Sequence, residues 1–136
     1  MAGYSGKPLH AKLGLKPGQR VTLVADCDFD AYQNLLGPDA PEISLTDTLT
    51  PGVEVVHLFT ASRAHLQAFL PEALTQLARD GMIWVSWPKK ASKLASDVTE
   101  DEIREIALPL GLVDVKVCAV DATWSGLKLM LRKELR

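Results

Sequence analysis

The sequence predicts an α/β domain: a mainly parallel sheet with helices on both faces, closing in an antiparallel hairpin. Three observations predict it. Short apolar runs at 21–24, 53–59 and 82–87 have the composition of strands buried on both faces. Amphipathic helical stripes follow the second and third of these, at 66–77 and 103–110. Two final runs, 113–119 and 127–131, alternate apolar and polar residues with the period of a strand. Alternating strands and helices favour parallel pairing, because a parallel crossover normally runs a long connection over one face of the sheet.

Taken in order, the first dozen residues carry Gly3, Gly6 and Pro8 and little periodicity. They read as an arm or a short helix, mobile unless docked. Pro17-Gly18 marks a turn before the first strand. Asp30 to Leu36 supplies one or two helical turns, ended by Gly37-Pro38. Ile43 to Leu45 is a weak strand candidate. After the strand at 53–59, Ser62 suits an N-cap. Leu66, Phe69, Leu70, Ala73, Leu74 and Leu77 then share one helical face. Pro71 falls inside that pattern and is expected to kink or split the helix, because it lacks an N–H. Gly81 is expected to stop it. Pro88 closes the third strand, and 89–97 form a loop. Thr99-Glu100-Asp101-Glu102 has the form of a capping box with acids in the first turn. Ile103, Ile106, Ala107 and Leu110 form its buried stripe, and Gly111 ends it. Trp124-Ser125-Gly126 is expected to be the turn of the hairpin, with Gly126 at a positive backbone dihedral. The organisation that follows is an N-terminal arm, 1–14, and one domain, 15–136.

A chain of 136 residues, 47% hydrophobic and 24% charged, fits a single core. A net charge of −2 gives no general case for nucleic-acid binding, which is disfavoured. No run of about 18 apolar residues offers a membrane span. Residues 1–12 lack an apolar signal core, and Cys27 and Cys118 make neither a disulfide framework nor a metal set. A cytoplasmic protein with free thiols is the expectation. His10 and His65 have no acidic or cysteine partner at metal spacing, so no metal is expected. His57, inside an apolar strand, reads as a hydrogen-bonded core histidine. The charge is unevenly spread. Lys7, Lys12, Lys16 and Arg20 precede the first acid, whereas 21–62 holds seven acids and no Lys or Arg. Lys128, Arg132, Lys133 and Arg136 make the end basic again.

Leu15-Lys16-Pro17-Gly18-Gln19-Arg20-Val21 resembles the lead-in to the first strand of class I S-adenosylmethionine-dependent methyltransferases. Asp80-Gly81 before Ile83-Trp84-Val85, and the closing hairpin, extend the likeness from about Leu15 to the C-terminus. It implies a three-layer, Rossmann-like fold, shortened by one strand–helix unit after the first helix. A closer likeness spans nearly the whole chain. Ser5-Gly6-Lys7-Pro8-Leu9, Lys12-Leu13-Gly14-Leu15-Lys16-Pro17-Gly18, Trp84-Val85-Ser86-Trp87-Pro88-Lys89-Lys90 with Ser92-Lys93, and Asp114-Val115-Lys116-Val117 with Trp124-Ser125-Gly126-Leu127-Lys128 resemble a family of small bacterial proteins of unknown function. That likeness brings no activity with it.

The methyltransferase likeness breaks after the first strand. Glycines there would let a helix N-terminus approach the cofactor closely. Here the chain reads Ala25-Asp26-Cys27-Asp28-Phe29-Asp30. Cys27, Asp28 and Phe29 put side chains into that space, and three carboxylates repel a cofactor carboxylate or phosphate. Two like charges about 4 Å apart cost on the order of 4 kcal/mol at an effective dielectric near 20, roughly three orders of magnitude in affinity. The cofactor's amine would be attracted instead. S-adenosylmethionine is therefore disfavoured, and no cofactor is expected.

The best positive candidate for a site is Trp87, Lys89, Lys90, Ser92 and Lys93. This stretch follows a central strand and so emerges at the carboxyl edge, where open α/β sheets bind ligands. Its lysines and serine suit a phosphate or carboxylate, with Trp87 as a wall. Thr60 lies at the same edge, and Trp124-Ser125 form a second candidate. A solvated loop and a tight turn account for the same residues without a ligand. No catalytic arrangement of Ser, His and acid is recognisable. The reading is a binding or regulatory module without catalysis, taking a small anionic ligand or a protein partner. Its alternative is an enzyme or binding protein for a small anionic or nucleotide-like ligand at the Lys89–Lys93 loop.

Overall fold

The computed structural model describes residues 7–136, so the expectations for Gly3, Gly6 and the Ser5-Gly6 motif lie outside the described residues. Six strands form one sheet: β1 (Arg20–Val24), β2 (Ser44–Thr46), β3 (Val53–Phe59), β4 (Leu77–Pro88), β5 (Leu112–Ala119) and β6 (Trp124–Leu131). Their spatial order is β2-β1-β3-β4-β6-β5. β1 pairs in parallel with β2 and β3, and β3 with β4. β6 runs antiparallel to β4 and β5. The expected mainly parallel α/β sheet with a terminal hairpin is thus the observed one.

Helices cover both faces. α1 (Leu9–Leu13) and α2 (Phe29–Leu36) close one core around Val21, Leu23, Tyr32, Leu36 and Trp84. α3 (Arg63–Gln76) and α4 (Glu100–Ala107) close the other around Val56, Leu58, Leu70, Ile83, Ile103 and Leu129. The end of the N-terminal arm is docked. Leu9 and Leu13 are buried, and the Trp84 indole N–H donates to the Leu13 carbonyl at 3.1 Å. Ser62 and Thr99 are N-caps: their hydroxyls accept from the His65 and Glu102 backbone N–H groups.

No helix separates β2 from β3. Residues 47–52 return over β1 in six residues, where a parallel crossover usually needs a dozen or more. Side chains of β1 hold this short return. Thr22 donates to the Thr48 carbonyl, and Arg20 donates to the carbonyls of Pro51 and Gly52. Arg20 also pairs with Glu54, whose carboxylate accepts from the Arg20 backbone N–H at 2.6 Å.

Four sequence expectations are corrected. Pro71 sits inside α3 without splitting it. It lies on the exposed side, while Leu66, Leu70 and Ala73 anchor both halves of the helix in the core. The helix ends at Gln76, so Gly81 is no helix stop. Gly81 lies within β4, where a Cβ would stand 2.8 Å from the Glu54 carbonyl oxygen and 3.0 Å from that of Ala78. Glycine is there because backbone comes too close for any side chain. Trp124-Ser125-Gly126 is not the hairpin turn. These residues open β6, and the turn is 120–123, where Asp121 Oδ1 accepts from the Thr123 and Trp124 N–H groups. Gly126 does not adopt a positive φ. A Cβ there would meet Val120 Cγ2 at 3.1 Å and the Trp84 ring at 3.3 Å, so its role is close packing.

β5 keeps its alternating sequence but not one buried face. The ladder to β6 slips between Asp114 and Lys116, and Val115 and Val117 remain 46% and 48% exposed. A bulge and a lysine on an edge strand obstruct further pairing.

Because backbone crowds Gly81, Gly81→Ala is expected to destabilise the fold by about 1–3 kcal/mol and to lower the Tm by several degrees. An unchanged melting curve would contradict the close approach of β3 and β4.

Candidate functional site

The carboxyl ends of β1, β3 and β4 reach one edge of the sheet, and the 120–123 turn and the start of β6 arrive there from the opposite direction. A hollow of about 440 Å³ lies at this edge. The turn after β1 contributes Ala25, Asp26 and Cys27, and α2 contributes Ala31 and Leu35. Phe59 ends β3, and Asp121 and Trp124 face it from the hairpin. Phe59 and Trp124 meet edge to face, with centroids 5.3 Å apart and planes at 82°. A second, more open hollow shares Ala25 and Cys27 and adds Leu23, Asp28, Phe29, Asp30 and Asp47. Among the described residues no lysine or arginine lines either one.

Beneath Phe59 runs a buried polar chain. The Tyr32 hydroxyl lies 2.7 Å from His57 Nδ1, and His57 Nε2 lies 2.7 Å from Ser86 Oγ. All three residues are fully buried. Phe59 stacks on the His57 ring at 4.4 Å. The expected core histidine is therefore hydrogen-bonded on both nitrogens. Burial pushes its pKa down to about 3, so the ring is neutral at neutral pH. Burial also raises the Tyr32 phenol. The Cys27 thiol is pushed up by burial, with Asp28 and Asp26 acting in the same direction.

The eight predicted site residues are dispersed around this edge. Trp124 is the one among them that lines the main hollow. Trp87 packs against the α3–α4 core instead. Lys89 braces the hairpin turn: its ammonium donates to the Asp121 carbonyl at 2.7 Å, and its N–H donates to Thr123. Ser92 donates to the Lys89 carbonyl. Lys90 and Lys93 are exposed, and Lys93 adopts a left-handed conformation at the end of a 3-10 turn. Thr60 is buried, with its hydroxyl 3.1 Å from His65 Nδ1 and accepting from the Ser62 N–H. Ser125 lies in β6 between Trp87 and Ala119.

Sequence reasoning missed Phe59, Asp121, Asp47 and the Tyr32–His57–Ser86 chain as parts of one place. The available signal was positional: each of Phe59, Asp47 and Asp121 ends or follows a strand. Among the described residues no group of three or more His, Cys, Asp or Glu side chains could hold a metal ion. No helix among the described residues is long and apolar enough to cross a membrane, and Cys27 and Cys118 are free thiols.

A parallel sheet closed by an antiparallel hairpin, with an open hollow at its carboxyl edge, places the chain in the Rossmann-like, methyltransferase-like class. Solved structures agree. A protein of Sulfolobus solfataricus provisionally described as a type 11 methyltransferase superposes with TM-score 0.60 at 13% identity, over 87% of this chain and 86% of that one. Aeropyrum pernix fibrillarin, crystallised with natively bound S-adenosylmethionine, gives 0.59 at 14% identity over 95% and 71%. The ribosomal protein L11 methylase of Lactobacillus delbrueckii subsp. bulgaricus gives 0.56 at 12% over 90% and 74%. At these identities the likeness establishes the fold. The chain itself belongs to a family of proteins of unknown function, DUF3052, whose model matches residues 10–133. No curated protein matches it.

The neutral, buried His57 ties stability to pH. Free imidazole titrates near 6.5, and His57 in the fold near 3. Between these values the unfolded chain binds a proton that the folded chain refuses, so stability falls as pH falls through that window. At roughly 1.4 kcal/mol per pH unit, going from pH 7 to pH 5 removes about 2 kcal/mol through this residue. Urea denaturation of the wild type and of His57→Gln at both pH values measures it. The variant is expected to be less stable at pH 7 and to lack this pH-linked loss. Equal losses in both proteins would refute the assignment.

Proposed function

We propose that this chain is a non-catalytic binding module on a methyltransferase-like scaffold, taking a small ligand in the hollow between the β1–α2 turn, Phe59 and Trp124. The observation that carries the reading is the hollow itself. It is open and walled by two aromatic rings, while the residues best suited to nucleophilic or general-base chemistry, His57 and Ser86, are sealed beneath Phe59. Cys27 reaches the hollow, but its raised pKa keeps it a thiol. A cytoplasmic setting suits its two unpaired cysteines.

The turn does not fit the carboxylate of S-adenosylmethionine. Asp28 caps α2, its carboxylate accepting from the Ala31 N–H at 2.8 Å. The helix N-terminus that could receive a ligand anion already holds one. Asp26, Asp28, Asp30 and Asp47 add negative charge around it.

A thermal-shift screen tests the reading, with a panel of nucleosides, amines, carboxylates, phosphates and S-adenosylmethionine. A ligand at about 100 times its Kd adds roughly 2.7 kcal/mol and several degrees. The expected hit is lost in Ala31→Phe, which fills the hollow from α2. A hit that survives Ala31→Phe and disappears in Lys89→Ala or Lys93→Ala would move the site to the basic loop. A shift with S-adenosylmethionine, together with methyl transfer, would overturn the non-catalytic reading.

One observation favours a second reading, an anionic macromolecular partner. Lys116 and Lys128 are direct cross-strand neighbours on the α1 side of the hairpin. Burial lowers the pKa of Lys128, and Lys116 and then Lys16 lower it further. Three ammonium groups therefore gather on one face. Binding of a labelled oligonucleotide that weakens steeply with salt, and that is lost in Lys116→Ala/Lys128→Ala, would support this partner. Salt-independent or absent binding would remove it.

A further inference from the structure

We propose that the hollow selects a small organic cation, an ammonium group carrying methyl or other apolar substituents. This inference rests on the binding-module reading and names the ligand class for the same site. Its basis is the chemistry of the walls. Phe59 and Trp124 stand perpendicular, edge to face, and form an aromatic corner. Ala25, Ala31 and Leu35 complete an apolar surface. Asp26 approaches from the β1 side and Asp121 from the hairpin side. An aromatic corner with carboxylates at its margins suits a cation with an apolar skin: ring faces attract the charge, and apolar substituents fill the space between them.

The charge balance of the surroundings points the same way. Asp28, Asp30 and Asp47 line the adjoining hollow, on the far side of Cys27. At the end of the hairpin nearest the hollow, Lys12 and Lys89 are directed at main-chain carbonyls, Lys12 at Ala119 and Lys89 at Asp121. Neither lines the hollow. One oxygen of Asp121 is committed to the Thr123 and Trp124 N–H groups, and no described hydrogen bond engages the other. An anion entering here would meet carboxylates and, among the described residues, no lining cation, whereas a cation would exchange water for the aromatic corner and two carboxylates.

A matched set of probes isolates the charge: choline, its uncharged isostere 3,3-dimethylbutan-1-ol, and 3,3-dimethylbutanoate. Each is titrated into the intact chain while the indole N–H signals of Trp84, Trp87 and Trp124 are followed by NMR, with Trp124→Phe identifying its signal. Choline is expected to shift the Trp124 signal saturably and at least tenfold more tightly than the alcohol, with no shift from the carboxylate. Asp26→Asn/Asp121→Asn, which keeps an oxygen acceptor at the turn, is expected to abolish the tenfold preference while still binding the alcohol. Equal affinity for choline and the alcohol, or preference for the carboxylate, would overturn the cation inference and leave the hollow as a binding site. No saturable shift of Trp124 with any probe would overturn the inference too. The wider thermal-shift panel, with Ala31→Phe as its control, then decides separately whether the hollow binds anything.

Discussion

An imidazole buried to zero exposure must find a partner for each nitrogen, and His57 takes one from each side. Tyr32 comes from α2 and Ser86 from the neighbouring strand β4. An unpaired buried polar group costs about 1–3 kcal/mol, so these two bonds are strict requirements on where α2 and β4 sit relative to β3. The carboxyl edge follows from that constraint. Tyr32 draws α2 over β1 and β3, which brings Ala31 and Leu35 to the hollow. Phe59, two residues along the strand on the same face, stacks on the ring and becomes the floor. Trp124 then packs edge to face with Phe59 and fixes the position of the hairpin. A polar chain inside the core thus determines the shape of an apolar hollow outside it.

Much of the fold is legible in the sequence because its signals are local. The apolar run at 53–59, the Ser62 and Thr99 caps and the Pro17-Gly18 turn depend on a few adjacent residues, and each appears where the sequence places it. The failures share a cause: the deciding contact comes from elsewhere in the chain. Gly81 has the sequence context of a helix stop, yet its reason is the Glu54 carbonyl on the neighbouring strand. Gly126 looks like a turn glycine, yet its reason is Val120 and the Trp84 ring. Pro71 would break an isolated helix, but core contacts on the opposite side hold it together. Little of the hollow is legible in the sequence. The glycine-free turn at Ala25–Asp28 reads as the loss of a cofactor motif and not as a site, and the lysines of the expected Lys89–Lys93 loop lie outside the hollow. The hollow depends on Phe59 and Trp124 meeting across residues 60–123, and no local pattern carries that information.

The acidic turn sets the charge of the carboxyl-edge hollows on this scaffold. A helix N-terminus with free N–H groups attracts anions. In this chain Asp28 supplies that anion from within, satisfying the Ala31 N–H and leaving net negative charge beside it. Side chains at 26–28 also occupy space that a glycine-rich turn would leave open. The remaining room lies toward the hairpin, against the Phe59 and Trp124 rings. Both effects have the same electrostatic sign: the helix dipole is capped, and carboxylates gather around the rim. Lys90 and Lys93 of the basic loop and Lys116 and Lys128 of the hairpin lie outside the linings of both hollows. The two ends of the sheet therefore differ in charge: the carboxyl-edge hollows are lined by acids alone among charged residues, whereas at the opposite end Lys16 and Lys128 share a hollow with Glu54 and Asp80.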